Sequence, residues 1–196
     1  HLGEIIDAVL ELNPESFESY DDNTLKLALK YFPEFIKQLK LYGLVQASVA
    51  FMPAFMQMSI GKLPKLILQV DFASDDKFEN MSKIEKLREK LKPLHPKTRI
   101  AIDDEEKKYW LIRRESFNLL RNKIRDKHTA PFIDDFVIDP HDIGRVIPEI
   151  TDILKKHPYF IYTVAGHVGN GNFHIIPLAD ITKPEVRKAI PEISDQ

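Results

Sequence analysis

The run Tyr159-Phe-Ile-Tyr-Thr-Val-Ala-Gly-His-Val-Gly-Asn-Gly-Asn-Phe-His-Ile-Ile-Pro-Leu178 sets two strand-like segments around a polar, glycine-rich centre. Tyr159 to Val164 is aromatic and β-branched, and Phe173 to Leu178 is mostly apolar. Such residues suit a pleated surface that is buried on at least one side. Between them, Gly166 to His174 places three glycines, two asparagines and two histidines in nine residues. Asn170-Gly171 takes positive φ at both turn positions at little cost, so the pair predicts a two-residue hairpin turn. With that turn Gly169 faces Asn172, Val168 faces Phe173 and His167 faces His174. Directly opposed residues have Cβ atoms roughly 4.5–5.5 Å apart on one face. Two imidazoles so placed could chelate one divalent ion, with bonds of about 2.0–2.1 Å for zinc. The glycines would leave backbone amides open to a ligand. A plain glycine-rich turn with two incidental histidines satisfies the same spacing.

Outward from this hairpin, apolar spacing predicts alternating elements. Leu2 to Leu12 reads as a helix stopped by Asn13-Pro14, and Glu15 to Tyr20 as a short strand. Asp21-Asp22-Asn23 caps a helix running to about Lys40, with Pro33 as a bend. Leu66 to Phe72 reads as a strand, Asp75 to Lys92 as an amphipathic helix and Thr98 to Ile102 as a strand. A long helix follows from Asp103 to about Arg125, its start carrying an Asp103/Glu106 capping box. Phe132 to Ile138 is a predicted strand and Pro140 to Lys156 a helix. Pro184 to Gln196 begins one more helix, which the chain ends inside. Strands linked by hairpins and interleaved with helices imply an α+β domain with an antiparallel or mixed sheet.

The long helix carries one charge in an apolar place. Trp110, Phe117, Leu120 and Ile124 form a stripe at helical spacing, and Arg113 falls within it. A guanidinium there must be paired or must await an anion. Its planar fork suits a carboxylate. A structural ion pair or a snorkelling side chain accounts for it as well.

Two motifs carry a resemblance. Gly166-His167-x-Gly169-Asn170-Gly171-Asn172-x-His174 resembles the Gly-His-x-Gly-Asp-Gly-Asn-x-His signature of the C-terminal substrate (cap) domain of FAD-linked oxidases. That family includes D-lactate dehydrogenases, the glycolate oxidase large subunit and D-2-hydroxyglutarate dehydrogenases. Asn170 departs from the family's usual Asp, which keeps the turn chemistry and removes one charge. Trp110-x-x-Arg113 is similar to the family's Trp-x-x-Arg, whose Arg binds the substrate carboxylate, and Asp135 falls on the family's Asp-containing strand. Ile133 stands where the D-2-hydroxyglutarate enzymes are read to have a substrate-binding Lys, which disfavours a second substrate carboxylate.

The resemblance implies an elaborated ferredoxin-like antiparallel sheet with helices packed on one face. It implies a FAD-dependent dehydrogenase that oxidises a small D-2-hydroxy acid, D-lactate or glycolate, to the 2-oxo acid. Arg113 and Trp110 would bind substrate. His167 and His174 would be catalytic and would hold a divalent metal, zinc first. Asn172 and Gly171 would face the flavin. Family members also carry a flavin-binding domain, for which no glycine-rich pyrophosphate loop is found here. They continue into a Ser-x-x-x-Glu-His-Gly stretch, whose Glu completes the metal site. Residues 1–196 are thus expected to be an excised cap domain, inactive alone, whose partners are the substrate and its own flavin domain.

Composition narrows the rivals. The net charge of −2 offers no footprint for nucleic acid. The absence of cysteine removes disulfides and thiolate sites, and with no visible signal peptide leads to an expected cytoplasmic location. Leu41 to Gly61 has no charged residue, though Gln46, Ser48, Pro53, Gln57 and Ser59 make it a poor membrane span. It reads as an insertion that is buried, or that touches a membrane or partner peripherally. A non-catalytic ferredoxin-like module binding metal or small acids, or a membrane-docking or assembly domain, are the alternatives.

Overall fold

The computed structural model describes residues 1–30, 52, 63–102, 109–110, 113, 128–129, 132–133 and 135–196. In chain order its elements are helix α1 (Leu2–Leu10), strand β1 (Ser16–Asp21), helix α2 (Asp22–Lys30), strand β2 (Leu66–Asp71) and helix α3 (Lys77–Leu91). Then come strands β3 (His128–Thr129) and β4 (Asp135–Val137), helix α4 (Ile143–Lys155), strands β5 (Ile161–His167) and β6 (Asn172–Ala179), and helix α5 (Pro184–Ser194).

The strands form an antiparallel sheet in the order β2-β1-β5-β6, with β3 and β4 sharing the far side of β6. Side chains alternate along each strand, so register divides the sheet into two faces. One face carries Phe17, Tyr162, Val164, Phe173 and Ile175 into the main core. There they meet Ile6 and Val9 of α1, Leu87 and Leu91 of α3, Leu154 of α4, and Val186, Ala189 and Ile193 of α5. On the opposite face Leu27 of α2 packs with Ile161, Ile176 and Leu178. Because both faces are covered, β5 and β6 read as near-continuous apolar runs rather than clean alternations. The fold is α+β with an antiparallel sheet, as expected.

Local chemistry sets several boundaries. Asp21 ends β1 and opens α2, its Oδ1 accepting from the Thr24 backbone N–H at 2.8 Å and from Thr24 Oγ1 at 2.6 Å. Asp76 caps α3 by accepting from Phe78 N at 2.8 Å. The carboxyl of Asp21 is largely out of water, which pushes its pKa up to about 6 despite the Thr24 hydrogen bonds.

Three expectations need correction. Thr98–Ile102 is not a strand, because its β-branched pattern finds no partner among the described residues and a strand exists only as part of a ladder. The strand expected from Phe132 to Ile138 shrinks to Asp135–Val137, while Phe132 and Ile133 lie in a turn and pack on the core. The helices do not all pack on one face of the sheet, because Leu27 of α2 packs against Ile161, Ile176 and Leu178 on the opposite one. Other expectations lie outside the described residues: the helix beyond Lys30, Pro33, the Asp103/Glu106 cap, Phe117, Leu120 and Ile124, and Leu41–Gly61 apart from the exposed Met52. Among the described residues no helix is long and apolar enough to cross a membrane.

Candidate active site

The hairpin forms, but with a longer turn than Asn170-Gly171 alone. Val168–Asn170 is a turn of 3-10 helix and Gly171 follows in the left-handed region at φ 66°. His167 therefore pairs with Asn172, and His174 pairs with Ala165. The expected register, with His167 directly opposite His174, is wrong by one pair. A shift of two positions in sequence leaves both histidines on the same face. They become diagonal neighbours, and their rings still meet, with centroids 5.4 Å apart and planes at 88°.

The glycines serve the chain rather than standing open to a ligand. A side chain on Gly171 would strike the Ile138 carbonyl, and Gly171 O accepts from Ile138 N at 2.9 Å. Gly166 lies against the backbone of Asn172 and Phe173.

Register also gathers the carboxylates. Glu18 of β1 sits opposite His167, and Asp135 of β4 sits opposite His174. Glu18 is 5% exposed, and both of its oxygens are engaged. Its Oε1 lies 2.6 Å from His167 Nδ1, and Arg113 Nη2 donates to its Oε2 at 2.5 Å. His174 Nδ1 is hydrogen-bonded to Asp135 Oδ1. Arg113 thus finds the ion pair that its place in an apolar stripe required, and the pair is out of water, with its side chains 16% and 7% exposed. Tyr20, two residues on from Glu18, is buried on the same face, and burial with Tyr109 nearby pushes its phenol well above its ordinary value. It is a neutral floor to the site.

The remaining expected residues fall as follows. Asn172 is on the same face, at the mouth of the hairpin, and its Oδ1 is buried with no hydrogen-bond partner among the described residues. Trp110 is helical and half-buried, one turn before Arg113. Ile133 packs against the main core, and the site-facing residues of β4 are Asp135 and Val137. Among the described residues no three His, Asp or Glu side chains are arranged to hold a metal ion. A cleft of about 470 Å³, lined by Leu2, Ile6, Ile147, Tyr162 and Val164, lies on the opposite face of the sheet and is separate from the histidines.

Glu18 was not legible as a site residue. Its one signal was a charged residue at an alternating position within a strand, which is common on solvated edges.

A family model described as FAD linked oxidases, C-terminal domain, matches residues 3–196. A D-2-hydroxyglutarate dehydrogenase of Haemophilus influenzae is 29% identical over 87 residues, covering 44% of this chain and 8% of that protein. A D-2-hydroxyglutarate dehydrogenase of Pantoea ananatis is 28% identical over 85 residues, covering 43% of this chain and 8% of that protein. The matched stretch is thus a small part of the length of either relative.

Proposed function

The chain belongs to the family of FAD-linked oxidase C-terminal domains, and from that premise we propose that it is the substrate side of a FAD-dependent oxidoreductase acting on a small 2-hydroxy acid. The observation behind this reading is the convergence of Arg113, His167, His174 and Asn172 with two carboxylates on one face of the sheet. Arg113 binds the substrate carboxylate, with its guanidinium steadied by Glu18. Trp110 flanks it one helical turn away. His167 and His174 face the hydroxyl carbon, each ring oriented by a carboxylate at its Nδ1. Asn172 offers its unpartnered Oδ1 to the flavin side, and Gly171 shapes the turn that presents it.

FAD fits this arrangement through that orphaned amide, and when bound it supplies the hydride acceptor. It is held mainly by a second domain of the same protein, so residues 1–196 alone turn over no hydroxy acid. A divalent ion, zinc first, fits the donor chemistry of His167 and His174. Both hand Nδ1 to a carboxylate, as ligating histidines do. A catalytic zinc takes three protein ligands, so the third must come from outside the described residues. When bound, the ion would polarise the substrate hydroxyl.

D-lactate or glycolate is the first choice, since Asp135 and Val137 bring no second cation from β4 for a second carboxylate. D-2-hydroxyglutarate is the second reading, favoured by the names of the two relatives. Anaerobic titration of the full-length protein with D-lactate, glycolate and D-2-hydroxyglutarate tests the reading by bleaching of the flavin absorbance. Reduction by either monocarboxylate supports it, and reduction by D-2-hydroxyglutarate alone moves it to the second reading. No reduction by any 2-hydroxy acid refutes it.

A further inference from the structure

We infer that Glu18 is a positioning residue that locks His167 in the Nδ1–H tautomer and couples that ring to Arg113. The tautomer follows from the contacts alone. Its consequence for catalysis rests on the function proposed above.

Glu18 lies directly across the β1–β5 ladder from His167, which brings its carboxylate to the edge of the ring. A carboxylate only accepts hydrogen bonds, so the proton of a neutral His167 sits on Nδ1, 2.6 Å from Oε1. Nε2 then carries the lone pair and points away from Glu18. The second oxygen holds Arg113 at 2.5 Å. One carboxylate, rigid because it is buried within a strand, therefore sets both the direction of the imidazole lone pair and the placement of the guanidinium. His174 has its own carboxylate, Asp135, on the other side of the hairpin. Each ring therefore has its own carboxylate at Nδ1.

The argument makes a sharp statement about Glu18→Gln. The carboxamide has one accepting oxygen and one donating NH2, yet it meets two donors. A guanidinium has no acceptor atom, so Arg113 must keep the oxygen. The NH2 then faces His167 Nδ1, which must accept, and the ring proton moves to Nε2. The shape of the side chain is nearly unchanged while the direction of the histidine is reversed. An ion pair with a purely structural role would leave the tautomer alone.

Long-range ¹H–¹⁵N correlation of the histidine-labelled, metal-depleted full-length protein reads this directly. A neutral ring reports which nitrogen is bare, and the spectra are recorded at a pH where the ring shifts no longer move. The His167 signals are assigned by their loss in His167→Gln. Wild type should show a protonated Nδ1 and a bare Nε2 at His167. Glu18→Gln should show the reverse at His167 with His174 unchanged. In parallel, kcat of the metal-loaded enzyme for the hydroxy acid should fall by roughly 10–100-fold, with KM no higher because Arg113 is retained. A wild-type His167 protonated on Nε2 overturns the inference even if the variant fails to fold. So does an unchanged tautomer in a folded Glu18→Gln. The expected tautomers in a protein that oxidises no hydroxy acid would sustain the role of Glu18 and overturn the proposed function instead.

Discussion

Gly171→Ala is the most informative single change in the hairpin. Gly171 sits at φ 66°, and a Cβ there would lie 1.8 Å from Ile138 O, 3.0 Å from Ile138 C and 3.3 Å from Pro140 Cδ. Three costs add. A side chain in the left-handed region costs about 1–2 kcal/mol. Overlap with backbone, which cannot rotate away as a side chain could, costs about 1–3 kcal/mol. Moving the turn away from Ile138 also loses the Ile138 N–H hydrogen bond to Gly171 O, worth roughly 0.5–1.5 kcal/mol. The total is roughly 2.5–6.5 kcal/mol, against a typical domain stability of about 5–15 kcal/mol. Gly166→Ala should be comparably severe, since its Cβ would fall 2.3 Å from Asn172 O and 2.7 Å from Phe173 Cα. Gly169 is the internal control. It lies in the same turn, but its Cβ would make ordinary contact with Phe17 Cβ at 3.4 Å, so Gly169→Ala should cost less than about 1 kcal/mol. Urea unfolding of the three variants, followed by far-UV circular dichroism, measures each difference. A Gly171→Ala protein within 1 kcal/mol of wild type, or a Gly169→Ala protein as damaged as the other two, would refute the account of the turn.

Asp21 makes stability depend on pH in an uncommon direction. Its folded pKa of about 6 lies above the ordinary 3.8, so its contribution to stability is complete below pH ~4 and lost as pH rises through about 6. Asp21→Asn keeps an oxygen for Thr24 and cannot ionise. Between pH 4 and 7 it should gain on wild type by up to about 3 kcal/mol, and parallel pH profiles of the urea midpoint would disprove this. For the metal, His167→Ala and His174→Ala in the full-length protein should each lose bound ion and activity together. His157→Ala, whose residue lies in the turn after α4, should change neither, as metal analysis alongside turnover would report.

The α+β character, the helices and the central hairpin could be read from the chain because each depends on neighbours in sequence. Periodicity of 3.6 or 2 is a local property, and Asn-Gly marks a turn wherever it occurs. The Gly-His and Trp-x-x-Arg motifs were legible for the same reason, being short and contiguous. Register was not. Asn170-Gly171 accommodates a two-residue turn, but the closed contact of Gly171 on Ile138 and the 3-10 turn at Val168–Asn170 hold a longer one. Thr98–Ile102 has the composition of a strand, and only the sheet could show that no neighbour pairs with it among the described residues. Glu18 is the clearest case. Arg113 lies 95 residues from it and His167 lies 149 away, so no window of sequence contains the interaction. Local patterning could say that an arginine in an apolar stripe needs an anion, because an unpaired buried charge is too costly to keep. Which anion answers that need was decided by the antiparallel pairing of β1 with β5, which sets Glu18 across from His167 and within reach of Arg113.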